Sequence, residues 1–225
     1  MSDRLARLQA LLDGQPSIAA FAQILELLDD CDGPELDAAL AHAEVRLRSW
    51  PDQLRCAGER LLGEAPDGSV RIKPIARLVR KLEFEPSHAG CDSALVQLLA
   101  RAPELGNLTI LSMPCEDVDC DGAEAIANSP TLAGLKELRL GGKIGDFGFC
   151  AIALSPHLQQ LERLELRGYI SEDETAVILA NSPHMAKLVD LEIDDDGVEI
   201  DGYRALATSR YIPTEFRAWW LEQLD

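Results

Sequence analysis

The stretch Pro130-Thr131-Leu132-Ala133-Gly134-Leu135-Lys136-Glu137-Leu138-Arg139-Leu140 holds the pattern that decides the fold. Counted from its proline, leucines stand at offsets two, five, eight and ten. The same offsets give Leu105, Leu108, Leu111 and Met113 from Pro103, and Leu158, Leu161, Leu164 and Leu166 from Pro156. From Pro183 they give Met185, Leu188, Leu191 and Ile193, and a weaker copy from Pro74 gives Ala76, Val79, Leu82 and Phe84. Five copies spaced 26 to 29 residues apart are the mark of a solenoid, whose units bury their apolar edges against their neighbours.

Within each unit the L-x-x-L-x-L segment predicts a short strand, followed by a loop and a small helix. The helices keep their own apolar spacing: Val96, Leu99 and Ala100 match Ala123, Ile126 and Ala127. Phe149, Ile152 and Ala153 match Ala176, Leu179 and Ala180, and Tyr203, Leu206 and Ala207 complete the set. Offsets of three and four form one helix face. Asp92, Asp121, Asp146, Asp173 and Asp201 stand at the predicted helix starts, where a carboxylate complements free N–H groups and the helix dipole. The proline then ends each helix. The expected class is α/β: a right-handed solenoid with a parallel sheet on its concave face and helices on its convex face.

L-x-x-L-x-L at this period, with a helix per unit, resembles the ribonuclease-inhibitor-like class of leucine-rich repeat. Ala-Asn-Ser-Pro-His at 180–184, beside Ser-Pro-His at 155–157, is similar to arrays in bacterial repeat proteins. The resemblance implies the fold over about residues 71–210 and leaves the partner open. The Asn or Cys that usually follows the strand is Lys143 or Tyr169 here, so the loops are expected to depart from the usual side-chain ladder.

Residues 1–70 read as an all-α N-terminal cap over the first unit. Leu5, Leu8, Leu11 and Leu12 share one helical face. Pro16 suits a first helical turn before Ile18, Phe21, Ala22, Leu25 and Leu28, and Asp32-Gly33-Pro34 can start a third helix carrying Leu36, Leu40, Ala43 and Leu47. Ser49-Trp50-Pro51 marks a fourth start, with Leu54, Leu61 and Leu62 following, and Pro66-Asp67-Gly68 is a turn. Residues 211–225 read as a capping helix, opened by Thr214 and carrying Phe216, Trp219, Trp220 and Leu224. Its only base is Arg217, which disfavours a membrane-surface helix.

The formal net charge is -18 over 225 residues. Residues 1–72 carry 13 acids and 7 bases, residues 73–110 carry 4 and 5, and residues 111–225 carry 22 and 9. Nucleic acid and anionic membranes are poor partners for such a chain. No apolar run reaches membrane-spanning length and the start shows no secretory segment, so a soluble, cytoplasmic protein is expected. Cys31, Cys56, Cys91, Cys115, Cys120 and Cys150 form no C-x-x-C pair and are expected to be reduced structural thiols.

No catalytic, metal or cofactor site is predicted. His157 and His184 both follow the unit proline and read as turn positions. Glu192, Asp194, Asp196 and Gly197 imitate the start of a calcium loop, but its last ligand would be Tyr203. Gly141-Gly142 with Gly145 lacks the dinucleotide spacing.

What remains is the sheet face. The residues between core positions alternate outward: Lys81, Glu83 and Glu85; Ile110, Ser112 and Pro114; Glu137, Arg139 and Gly141; Arg163, Glu165 and Arg167; Asp190, Glu192 and Asp194. The candidate partner-binding residues are Glu137, Arg139, Arg163, Glu165, Arg167, Asp190, Glu192 and Asp194. The expected function is a non-enzymatic, monomeric protein-binding module whose partner presents a basic patch. The alternatives are an inhibitor of a basic enzyme, a regulator of a small GTPase, and an enzyme with a catalytic cysteine.

Overall fold

The apolar period becomes a parallel sheet in the computed structural model, which describes residues 2–88, 90–194, 196–222 and 224. The chain enters through three helices: α1 (Ser2–Leu12), α2 (Ile18–Asp29) and α3 (Gly33–Leu47). Ser17 caps α2 by accepting the Ala20 N–H, which leaves Pro16 outside the helix rather than in its first turn. Leu8, Leu12, Phe21, Leu25, Leu28, Leu40, Ala43 and Leu47 are buried, whereas Leu5 and Ile18 are exposed.

The fourth predicted helix does not form, so the region before the sheet is not all-α. After a single turn of 3-10 helix at Asp52–Leu54, the chain extends as β1 (Cys56–Ala57) and pairs in parallel with Lys81 and Leu82. Two effects favour the strand. The Arg55 carbonyl accepts from the Arg80 and Lys81 N–H groups, which would otherwise face an open sheet edge. Gly58 also approaches Glu83 so closely that a Cβ there would lie 2.7 Å from the Glu83 carbonyl oxygen. The buried Arg55 guanidinium donates to the carbonyls of Leu78 and Leu47, tying α3 to the start of the repeats. Burial, helped by nearby Arg80, lowers its pKa to about 10, so it stays charged at neutral pH. The predicted Pro66-Asp67-Gly68 turn is present and joins β2 (Leu62–Glu64) to β3 (Val70–Ile72) as an antiparallel pair.

Strand and helix then alternate: β4 (Lys81–Glu83), α4 (Ser93–Arg101), β5 (Ile110–Met113), α5 (Cys120–Ala127), β6 (Glu137–Leu140) and α6 (Gly145–Leu154). They continue as β7 (Arg163–Tyr169), α7 (Asp173–Asn181), β8 (Asp190–Asp194), α8 (Ile200–Thr208) and a final α9 (Thr214–Glu222). The six-stranded sheet runs β1-β4-β5-β6-β7-β8, and every neighbouring pair is parallel. The register sets Leu82, Leu111, Leu138, Leu164 and Leu191 level, and all five are buried. Consecutive helices from α4 to α9 pack on one another, and their apolar faces join the strand leucines in one core.

Polar ladders bind the units together. Ser129, Ser155, Ser182 and Ser209, each just before or after a helix end, are buried and donate to the carbonyls of Ala100, Ala127, Ala153 and Ala180 in the preceding unit. Each hydroxyl also accepts N–H groups from its own turn, including those of His157 and His184. A second set crosses at the helix starts. Asp119, rather than Asp121, caps α5 and also accepts the Ser93 hydroxyl. Asp146 accepts from Ser171 and Glu172, and Asp173 from Glu199. Just after β6 and near the end of β7, Gly142 (φ 102) and Gly168 (φ 113) take the left-handed region. They stack so closely that a Cβ on Gly168 would lie 2.7 Å from the Gly142 oxygen.

The expectation of six separate thiols is corrected. Cys91 and Cys115, both buried, form a disulfide across 5.9 Å between Cα atoms. The parallel register of β4 and β5 carries the loop after one strand to the end of the next, and so brings together two cysteines 24 residues apart. Among the described residues no helix is long and apolar enough to cross a membrane.

Candidate functional site

The register assembles the candidate residues into rows. Glu137, Arg163 and Asp190 lie side by side, and Arg139, Glu165 and Glu192 form the next row. Arg167 and Asp194 stand towards the strand ends, where a register shift between Leu166 and Tyr169 sets Asp194 opposite Tyr169. All eight candidates therefore lie on three adjacent strands. In the preceding strand, Ile110 and Ser112 are buried rather than exposed. Each stands between longer charged neighbours, Lys81 and Glu137 or Glu83 and Arg139, whose stems shield it.

The three arginines are already engaged. Arg139 Nε lies 3.2 Å from Glu137 and 3.3 Å from Glu165. Arg163 Nη1 lies 3.4 Å from Glu137, and Arg167 Nε lies 2.8 Å from Glu165. Glu137 and Glu165 are sheltered at 10% and 17% side-chain exposure, while the arginines are 48% to 65% exposed. Two carboxylates thus sit low and three guanidinium groups cover them. Arg139–Glu165 and Arg163–Glu137 cross between strands, whereas the other two pairs run along one strand, and exposed pairs of this kind contribute about 0.2–1 kcal/mol each. They fix the arginines in place without withdrawing them from solvent.

The β8 end is different. Glu192 faces Glu165 across the sheet, a like-charge juxtaposition, and Arg139 and Arg167 are drawn onto Glu165. Asp190 faces Arg163, whose guanidinium instead reaches Glu137. Among the described residues no cation pairs with Asp190, Glu192 or Asp194. Asp196 and Asp201, beyond the strand, are exposed, and Asp201 pairs with Arg204. Asp195 lies outside the described residues. Among the described residues no cluster of three His, Cys, Asp or Glu side chains is placed to hold a metal ion.

A depression in this part of the face, bordered by Arg139, Arg163, Glu165, Asp190 and Glu192, measures about 50 Å³. Pockets that enclose organic ligands are several times larger, on the order of 300–1,000 Å³. Burial pushes the Cys56, Cys120 and Cys150 thiols up, against the pull of Lys81 at Cys56 and of Thr175 at Cys150, which disfavours the thiolate at these three positions. No protein-family model matches the chain, and no curated protein matches it.

Proposed function

We propose that the chain is a leucine-rich repeat solenoid of the ribonuclease-inhibitor-like class, right-handed, with its sheet on the concave side, acting as a non-enzymatic protein-binding module. The observation that carries this reading is the division of charge across β6, β7 and β8. Arginines there are pinned by internal carboxylates, and the acidic row beside them has no cation partner among the described residues. A flat surface with a cavity of about 50 Å³ suits another protein better than a small substrate. The raised thiols support a non-enzymatic role over a cysteine-dependent one.

The partner presents a basic patch to Asp190, Glu192 and Asp194. The internal pairing changes what the arginines do. A partner carboxylate must compete with Glu137 and Glu165, so Arg139, Arg163 and Arg167 set orientation and the unpaired acids set attraction. The test is capture from native lysate at low and high salt, followed by association kinetics with the recovered protein. Reversing Asp190, Glu192 and Asp194 to Lys should slow association at least tenfold at low salt and remove most of its salt dependence. Reversing Arg163 and Arg167 to Glu should act chiefly on dissociation. Unchanged kinetics in both variants would show that the sheet face is not the binding surface.

A further inference from the structure

The sheet ends at β8, and that end is not closed like the rest. Asp190 donates its N–H to the Glu162 carbonyl, and the Asp194 carbonyl accepts from Ile170, so the backbone of these alternate residues faces β7. The N–H and C=O groups of Leu191 and Ile193 consequently face outward. Among the described residues no backbone hydrogen bond from outside the sheet reaches them. Helix α9 lies beside this edge and leaves a cleft of about 250 Å³ lined by Leu191, Glu192, Ile193, Phe216, Trp219 and Trp220. Trp220 is buried and belongs to the core, whereas Trp219 is 49% exposed. The two indoles meet edge to face at 6.2 Å, which holds Trp219 in place over the cleft.

The charge around the cleft has one sign. Asp190, Glu192 and Asp194 stand on one side, and Glu215 and Glu222 lie on α9. The only base of α9, Arg217, is turned back to the Ser209 carbonyl and the Thr214 hydroxyl. A strand laid along β8 sends alternate side chains to opposite faces. One set would meet the acidic row, and the other would meet Ile193, Phe216 and Trp219.

We infer that this edge and cleft bind an extended peptide segment of alternating basic and large apolar residues, which pairs with β8 as one more strand and seats an apolar side chain against Trp219. The inference rests on the reading of the chain as a protein-binding module and names the partner's chemistry at its acidic end. Backbone pairing supplies register, and the alternating side chains supply selectivity.

The test is calorimetric titration of the full chain with the synthetic peptide acetyl-Arg-Leu-Arg-Val-Arg-Leu-amide. Two control peptides accompany it, one with Glu in place of each Arg and one N-methylated at alternate residues. The first peptide should bind; the Glu peptide should not, and the N-methylated one should bind at least tenfold more weakly. Trp219→Ala, at a half-exposed site that leaves the core intact, should weaken binding at least tenfold, and Glu192→Lys should weaken it further at low salt. No binding to the wild type, equal binding to Trp219→Ala, or equal binding by the N-methylated peptide would each overturn the inference. The variant with Arg163 and Arg167 reversed should keep the peptide affinity. If that variant and the one with Asp190, Glu192 and Asp194 reversed both leave the kinetics of a captured partner unchanged while the peptide still depends on Trp219, the sheet-face reading fails and the cleft stands.

Discussion

Leu138 lies level with Leu111 on one side and Leu164 on the other, wholly out of solvent. Leu138→Asp removes that packing and buries a charge without a partner, so it should cost at least ~3 kcal/mol in chemical denaturation. A variant that melts within a few degrees of wild type would contradict the register. Asp119 governs a different response. The Ser93 hydroxyl, aided by the N–H groups of Gly122 and Asp121, holds its carboxyl below the ordinary 3.8. A carboxyl lowered by folding stabilises above its unfolded pKa, and that contribution is lost as pH falls through the folded value. Wild type should therefore lose more stability below about pH 4 than Asp119→Asn does, read from urea midpoints across the acid range. Parallel acid limbs would remove Asp119 from the response. At this scale the strand leucines were legible because an apolar residue in a periodic row has one place to go. The serines were not. Ser129, Ser155 and Ser182 stand before prolines in the sequence and Ser209 before Arg210, but the acceptor of each hydroxyl is a carbonyl one unit away, fixed only once the units stack.

The elements read well where period and cap agreed and failed where a short stretch carried both signals. Leu54, Leu61 and Leu62 fit a helix face, yet the extended backbone at Cys56–Ala57 satisfies the edge of β4, and Gly58 allows the close approach. Such a choice is made by the neighbouring strand and leaves no mark in local composition. The C-terminal helix was legible: Trp220 is buried against the core that holds Leu206. Removing residues 211–225 should uncover that core, lower the melting temperature and promote self-association, measured by light scattering. A truncated chain that stays monomeric and equally stable would show that α9 is not a cap. The disulfide was hidden, because 24 residues separate cysteines that only a parallel crossover makes neighbours. Closing a loop of that length contributes about 3 kcal/mol on chain-entropy grounds. Replacing Cys91 and Cys115 by Ser should lower stability by roughly that amount, and reductant should bring wild type down to the same level. Insensitivity to reductant would mean that the cross-link adds nothing to the fold.

Across the whole molecule, charge works against compactness. The net charge of -18 is concentrated beyond residue 110, where acids outnumber bases 22 to 9. Self-repulsion of this kind weakens as salt screens it over about 8–10 Å. Raising sodium chloride from a few millimolar to physiological strength should raise the melting temperature by roughly 2–4 °C, equivalent to about 1 kcal/mol at this chain length. A melting temperature that is flat or falls with salt would indicate that internal ion pairs outweigh the repulsion. The face that carries the candidate site was visible as a set of alternating positions. Its pairing was not: that Glu137 and Glu165 would hold the arginines, leaving the β8 acids without a cation among the described residues, depends on side-chain reach across the register.

The serine ladder also bears on how such a chain can change in length. Each unit brings one hydroxyl that reaches backwards and one carbonyl that waits for the next. Excision of residues 155–181 would put Ser182 where Ser155 stands, facing the Ala127 carbonyl, and Leu191 where Leu164 stands, beside Leu138. The joint is the same on both sides of the cut. A gene encoding this protein could therefore gain or lose a unit by unequal recombination without leaving a buried polar group stranded, so the number of units is open to variation while the unit itself is held fixed.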